Sequence, residues 1–168
     1  MLKHPVPKEL LEGIGDVIVS FALLELEMQS LLGSLLHDNQ RIGRILASHL
    51  SFARLRAATL STYCELHGED RGFEELRAIM RDADTAEKER NRIVHSIWGA
   101  GSRPGVVMRL KVTAVEKRGF HVQGEEYDRP RLEGYVVGLR ELTQRIMHAH
   151  VSMIENGQIV VEKIETSN

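Results

Sequence analysis

From Ile14 to Leu35, apolar residues return every three or four positions: Ile14, Val17, Ile18, Phe21, Leu24, Met28, Leu31, Leu32 and Leu35. That spacing lines one wide face of an α-helix and no face of a strand. A helix of this length, beginning near Lys8 after an extended lead-in at Pro5 and Pro7, needs apolar partners along its whole extent. It commits the chain to helix-on-helix packing. Composition agrees, because aromatic residues make up only 5% of the 168. The core must then come from Leu, Ile, Val, Ala and Met, which suits a bundle better than a β-sandwich. Val19, Leu23 and Leu26 lie on the far side of the same helix, and a helix apolar on two faces predicts a second copy of the chain, a homodimer. Glu25 falls inside the main stripe, where an ionised carboxylate needs a partner. It either fixes packing through an Arg or supports the polar groups described below.

The rest of the chain follows the same logic. Asp38 and Asn39 mark a turn before a second helix over about 40–66, which ends at His67-Gly68-Glu69-Asp70. A third helix keeps Phe73, Leu76, Met80, Ala83, Val94 and Trp98 toward the core. Gly99 to Gly105 reads as a loop. Residues 106–115 alternate in strand fashion, with Val106, Met108, Leu110, Val112 and Ala114 on one side and Val107, Arg109, Lys111 and Thr113 on the other. A turn at 116–119 and a returning strand complete a hairpin. Asp128 then caps a last helix, with Pro130 in its first turn. The expected fold is all-α: a four-to-five-helix up-and-down bundle in one domain over 1–168, with a β-hairpin insertion at about 106–124 between the third and fourth long helices.

Several function classes drop out. Cys64 is the single cysteine, so neither a disulfide framework nor a Cys-based metal site is available. The first residues lack the pattern of a signal peptide. The most apolar window, Val17 to Leu36, contains Glu25, Glu27 and Gln29, which argues against a membrane span; a cytoplasmic protein is expected. No Glu-x-x-His pair of the di-metal bundles occurs, and His148 and His150 point about 200° apart on a helix. Walker, dinucleotide and nucleophile-elbow motifs are missing as well. The expectation is no metal and no cofactor.

What remains is a polar anomaly on the third helix. Glu87, Arg90 and Asn91 sit on or beside its apolar stripe, and Asn91 and His95 share a face at i, i+4. The spacing from Arg90 to His95 is not distinctive alone, since Arg44–His49 and Arg145–His150 repeat it. Only the Arg90 copy has Asn directly after the Arg. Charge is also uneven: the segment from Lys88 to Arg118 is formally +6, leaving −8 for the rest of a chain of net charge −2. Arg92, Arg103, Arg109 and Lys111 are its candidate contacts for RNA, an electrostatic footprint for a polyanion. The competing reading is a strand edge kept soluble by its cations.

Glu89-Arg90-Asn91-Arg92-Ile93-Val94-His95-Ser96-Ile97-Trp98-Gly99 resembles the signature of HEPN domains, the all-helical domains of bacterial defence and toxin systems. The resemblance extends to the stretch from Phe21 to Glu25 and to the helix order. It implies a metal-independent endoribonuclease, toxin or antiphage in role, that works as a dimer and cleaves RNA by attack of the substrate 2′-hydroxyl on the adjacent phosphate. Arg90, Asn91 and His95 would be the catalytic residues, with Glu25 and Glu87 in support. An antitoxin or other defence-system protein is the partner implied. Some HEPN toxins carry a Tyr two residues after the His, modified by a partner nucleotidyltransferase; this chain has Ile97 there. The residue chemistry is compatible: an imidazole titrates near neutrality, and an Arg offers a permanently charged planar fork to phosphate oxygens. The alternative is a catalytically inactive relative that binds RNA, a nucleotide or another protein.

Overall fold

The computed structural model describes residues 6–36, 40–115 and 119–159. In chain order they form α1 (Lys8–Leu36), α2 (Gln40–Ser48), α3 (Phe52–His67), α4 (Arg71–Val94), β1 (Ile97–Ala100), β2 (Val106–Val115), β3 (Gly119–Asp128) and α5 (Arg129–Glu155). The expected turn at Asp38-Asn39, the hairpin turn at 116–118 and the tail from 160 lie outside the described residues. No described helix is long and apolar enough to cross a membrane.

Helix ends follow local chemistry. Gly68, at φ 77°, closes α3 by donating its amide to the Cys64 carbonyl (2.8 Å), a left-handed conformation that glycine adopts without a Cβ penalty. Asp70 caps α4 by accepting the Phe73 amide at 2.8 Å. Asp128 caps α5 in the same way, accepting from the Arg131 amide at 3.0 Å.

Several expectations are corrected. The helix foreseen over 40–66 is two helices. Ser51, in extended backbone at φ −64° and ψ 155°, takes the N-cap position of α3 and breaks the run. The all-α description also gives way, because residues after α4 form a strand instead of a loop. Ile97, Trp98, Gly99 and Ala100 pair antiparallel with Leu110, Arg109, Met108 and Val107, making a three-stranded sheet in the order β1-β2-β3. The β2–β3 ladder runs from Val106↔Asp128 to Val115↔Gly119, four residues past the expected end of the hairpin at 124.

Of the two sides set by the alternation along β2, the one bearing Val107 and Arg109 turns inward, with Val106 also buried at the start of the strand. Val107 is fully buried and Arg109 is 7% exposed, whereas Val112 is 44% exposed. The register supplies the reason. Val107 lies opposite Tyr127, and Arg109 lies opposite both Trp98 and Glu125, so the face bearing Arg109 carries aromatic rings and an opposite charge.

The chain gathers into two compact units, one from residues up to 21 with 88–139, the other from 22–87 with the residues from 140 onward. In the first, Leu10, Val17, Phe21, Ile93, Tyr127 and Leu132 are buried together with Val107. α4 turns Ile93, 1% exposed, inward where Val94 was expected, because Ala83, Ala86 and Ile93 continue the three- and four-residue spacing from Leu76. In the second unit α1 and α2 meet backbone to backbone, since a Cβ on Gly43 would fall 2.0 Å from the Gly33 carbonyl oxygen. Along α1, Ile18, Val19, Leu23 and Leu26 stay between 47% and 62% exposed. Ile18 therefore leaves the main stripe and joins the second apolar face.

Candidate functional site

The polar residues of α4 divide between two arrangements. In the second unit, Arg56 of α3 donates to Asp84 at 2.6 Å, to Glu87 at 3.4 Å and to the Met80 carbonyl at 3.3 Å. Its side chain is 16% exposed, and those of Asp84 and Glu87 are 32% and 20% exposed. The Glu87 carboxylate, expected to support the site, is thus used by a half-buried guanidinium on the neighbouring helix. Glu25, expected to be buried in the α1 stripe, is only half-buried and makes no ion pair or hydrogen bond among the described residues.

In the first unit, Arg90 lies half-buried with its guanidinium carbon 4.3 Å from the centre of the Phe21 ring. That stacking holds a long side chain flat against an apolar surface. One Nη of Arg90 donates to the Asn91 side-chain oxygen at 2.9 Å. His95 falls in the turn just past α4, and its amide still donates to the Asn91 carbonyl at 3.0 Å. Its imidazole is exposed and has no hydrogen-bond partner among the described residues. The structure therefore joins Arg90 to Asn91 directly and places His95 one turn on, open to solvent.

A frame of side chains from the sheet and α5 surrounds this helix end. Tyr127 donates to Glu89 at 2.6 Å and stands edge-on to Trp98 with ring centres 5.2 Å apart. The Trp98 indole N–H donates to the Ile93 carbonyl at 3.0 Å, satisfying one of the acceptors left open at a helix terminus. Arg131 stacks on the Tyr127 ring at 3.8 Å and pairs with Glu125. The hydrogen bond from Arg131, aided by Arg109, holds the Glu125 carboxyl below the usual carboxylate range. Burial pushes the Tyr127 hydroxyl up, and its bond to Glu89 adds to the effect. Tyr135 of α5 sits beside the same group: burial and the Glu89 carboxylate raise its pKa, while Arg90 opposes the rise.

The expected RNA contacts separate in the same way. Arg103 is exposed in the 101–105 loop, Lys111 is exposed on β2, and Arg92 keeps a side chain 61% exposed while pairing with Glu89 at 3.3 Å. Arg109 does not join them. It is buried, donating to Glu125 at 2.9 Å and to the Ser96 hydroxyl at 3.2 Å, so it is not placed to touch RNA directly. Its pairing with Glu125 explains how a charged residue tolerates the inward face.

Sequence reasoning passed over Glu89, Ser96, Glu125, Tyr127, Arg131 and Tyr135. The one available signal was Arg109 and Glu125 at positions able to face each other across a hairpin, which requires the register. Among the described residues no three His, Cys, Asp or Glu side chains gather as a metal site would require. A concavity of about 1260 Å³ in the second unit, lined in part by Tyr63, Asp70, Glu75, Arg145 and His148, contains none of the expected site residues. Its cations are already paired, Arg71 with Glu75 at 2.9 Å and Arg145 with Asp82 at 2.6 Å. No family model, curated protein or solved structure matches this chain.

Proposed function

We propose that the chain is a metal-independent endoribonuclease of HEPN type, acting in the cytoplasm, possessing an active centre at the C-terminal end of α4. The observation that carries this reading is the Arg90–Asn91 pair, joined at 2.9 Å beside Phe21, with the exposed imidazole of His95 one turn away. Arg90 stabilises charge as it develops on the phosphorane, its donor fork already oriented by Phe21 and Asn91. His95 exchanges protons with the 2′-hydroxyl or the leaving 5′-oxygen. An imidazole can serve as proton donor or acceptor in either role. No metal is required, because the nucleophile belongs to the substrate. Arg92, Arg103 and Lys111 hold the RNA backbone. A second copy docks on the exposed apolar face of α1 and brings two such motifs to one RNA. A toxin or antiphage role, with an antitoxin or other defence-system protein as regulator, follows from the same resemblance.

The test is incubation of purified protein with mixed cellular RNA in EDTA, beside His95→Ala. Cleavage by the wild type alone, leaving cyclic-phosphate ends, is the expected result. Binding without cleavage across several RNA classes would instead identify an inactive RNA- or nucleotide-binding relative. Neither binding nor cleavage would point to a protein-interaction module.

A further inference from the structure

The buried Arg109 has an unusual set of partners. One Nη donates to Glu125 at 2.9 Å, and the other donates to the hydroxyl of Ser96 at 3.2 Å. Ser96 in turn donates to the Arg92 carbonyl at 2.5 Å. A single hydroxyl thus ties the turn after α4 to the helix behind it and to the sheet beside it. The residue immediately before it is His95. Glu125 is held from its other side by Arg131, which stacks on Tyr127, and Tyr127 bonds Glu89, the residue before Arg90. The sheet therefore holds α4 at Glu89 and the turn after it at Ser96, on either side of Arg90, Asn91 and His95.

We infer that Arg109 is a positioning residue that acts through Ser96 to fix the turn carrying the His95 imidazole. This rests on the ribonuclease reading and deepens it. Exposed histidines on helix-terminal turns sample several backbone and rotamer states, and misplacement by about 1 Å can lower a rate by on the order of 100-fold. Arg109 is suited to prevent this. Its guanidinium is planar, so the Glu125 pair on one nitrogen fixes where the other nitrogen points. A Lys at this position keeps the charge but has no fixed fork.

The test uses Ser96→Ala and Arg109→Lys in the full chain, with Glu125→Gln as a third variant. Ser96→Ala removes the turn contact and leaves the Arg109–Glu125 pair, so it guards against loss of fold in the Arg109 variant. Cleavage of RNA is read as kcat and KM separately, and the His95 imidazole is followed by NMR. The expected result for Ser96→Ala and Arg109→Lys is a drop in kcat of about tenfold at unchanged KM, together with His95 ring resonances moved toward those of an unstructured peptide. Equal losses in the two variants and in their double mutant would show that they act along one path. Unchanged kcat and unchanged His95 resonances would overturn the inference. If the wild type cleaves no RNA, the ribonuclease reading fails by itself, while the His95 resonances still report whether Arg109 orders the turn.

Discussion

α4 carries two polar clusters, and they are built in opposite ways. Around Glu87 the charges are nearly closed: Arg56 meets Asp84 and Glu87 as well as a backbone carbonyl, and only its Nε is buried without a partner among the described residues. Around Arg90 they are open: one hydrogen bond to Asn91 and a ring face at Phe21 hold the guanidinium, and the His95 imidazole is exposed. A half-buried charge matched by partners adds specificity to packing and has little left to offer a ligand. A charge held in place with donors to spare keeps the capacity to meet an anion. The difference is what distinguishes a structural polar cluster from a candidate site, and it cannot be seen from residue type.

The largest effect should come from the open cluster. His95→Ala is expected to lower RNA cleavage on the order of 100- to 10,000-fold, with unchanged circular dichroism and unchanged unfolding midpoint, because an exposed side chain contributes little to packing. Arg90→Lys should lower the rate by at least about tenfold, since an ammonium keeps the charge without the fork. Activity retained in both variants would move the chemistry elsewhere.

The closed cluster should respond in the reverse sense. Arg56→Met takes a guanidinium away from the half-buried Asp84 and Glu87 carboxylates, and about 2–3 kcal/mol of stability should be lost. Urea titration would measure it. Cleavage per folded molecule should stay at the wild-type value. If stability held and cleavage fell, Glu87 would belong to the site after all.

A smaller and pH-dependent effect separates the two units. The folded pKa of Glu125 is depressed, first by the Arg131 hydrogen bond. Its stabilisation is therefore complete above the ordinary carboxylate value of 4.5 and is lost as pH falls through the lower folded value. At pH 7, Glu125→Gln should cost about 1 kcal/mol, allowing for its exposure, and the gap to wild type should close in acid. His150 in the second unit is lowered by burial, then by Arg44, from 6.5. It favours the folded state above that pH and opposes it as pH falls below. His150→Gln should accordingly flatten the loss of stability that sets in as pH falls below 6.5, leaving the Glu125 window in place. A single acid transition in wild type and both variants would contradict this separation.

Most of the helices were legible because they rest on local signals, although the break at Ser51 between α2 and α3 was not. The α1 stripe, the stop at Gly68 and the caps at Asp70 and Asp128 need only three- and four-residue spacing and one side chain each. The anomaly on α4 was legible too, since Glu87, Arg90 and Asn91 interrupt an apolar stripe. The sheet was not. Trp98 and Gly99 look like a helix running out until β2 offers them Arg109 and Met108. Arg109 reads as exposed until Glu125, sixteen residues on, is placed opposite. Pairing across strands decides both, and hydrophobic periodicity carries no record of it.

The smallest expected effect concerns the exposed cations, and it decides what the basic stripe is for. Arg103 and Lys111 project from the loop and from β2, whereas Arg109 is turned inward. If the stripe binds RNA, each exposed cation neutralises about one phosphate. Replacing either by Ala should then weaken binding by a factor of about three and reduce the slope of log K against log salt by about one unit. The measurement needs His95→Ala and an RNA methylated at its 2′-hydroxyls, so that binding is read without cleavage. The effect should be nearly equal for different sequences, because phosphate contacts carry no base information. An unchanged salt slope in both variants would mean that these cations merely keep a sheet surface soluble. The RNA would then be held by Arg90 and Arg92 at the helix end, and the open cluster on α4 would account for binding as well as chemistry.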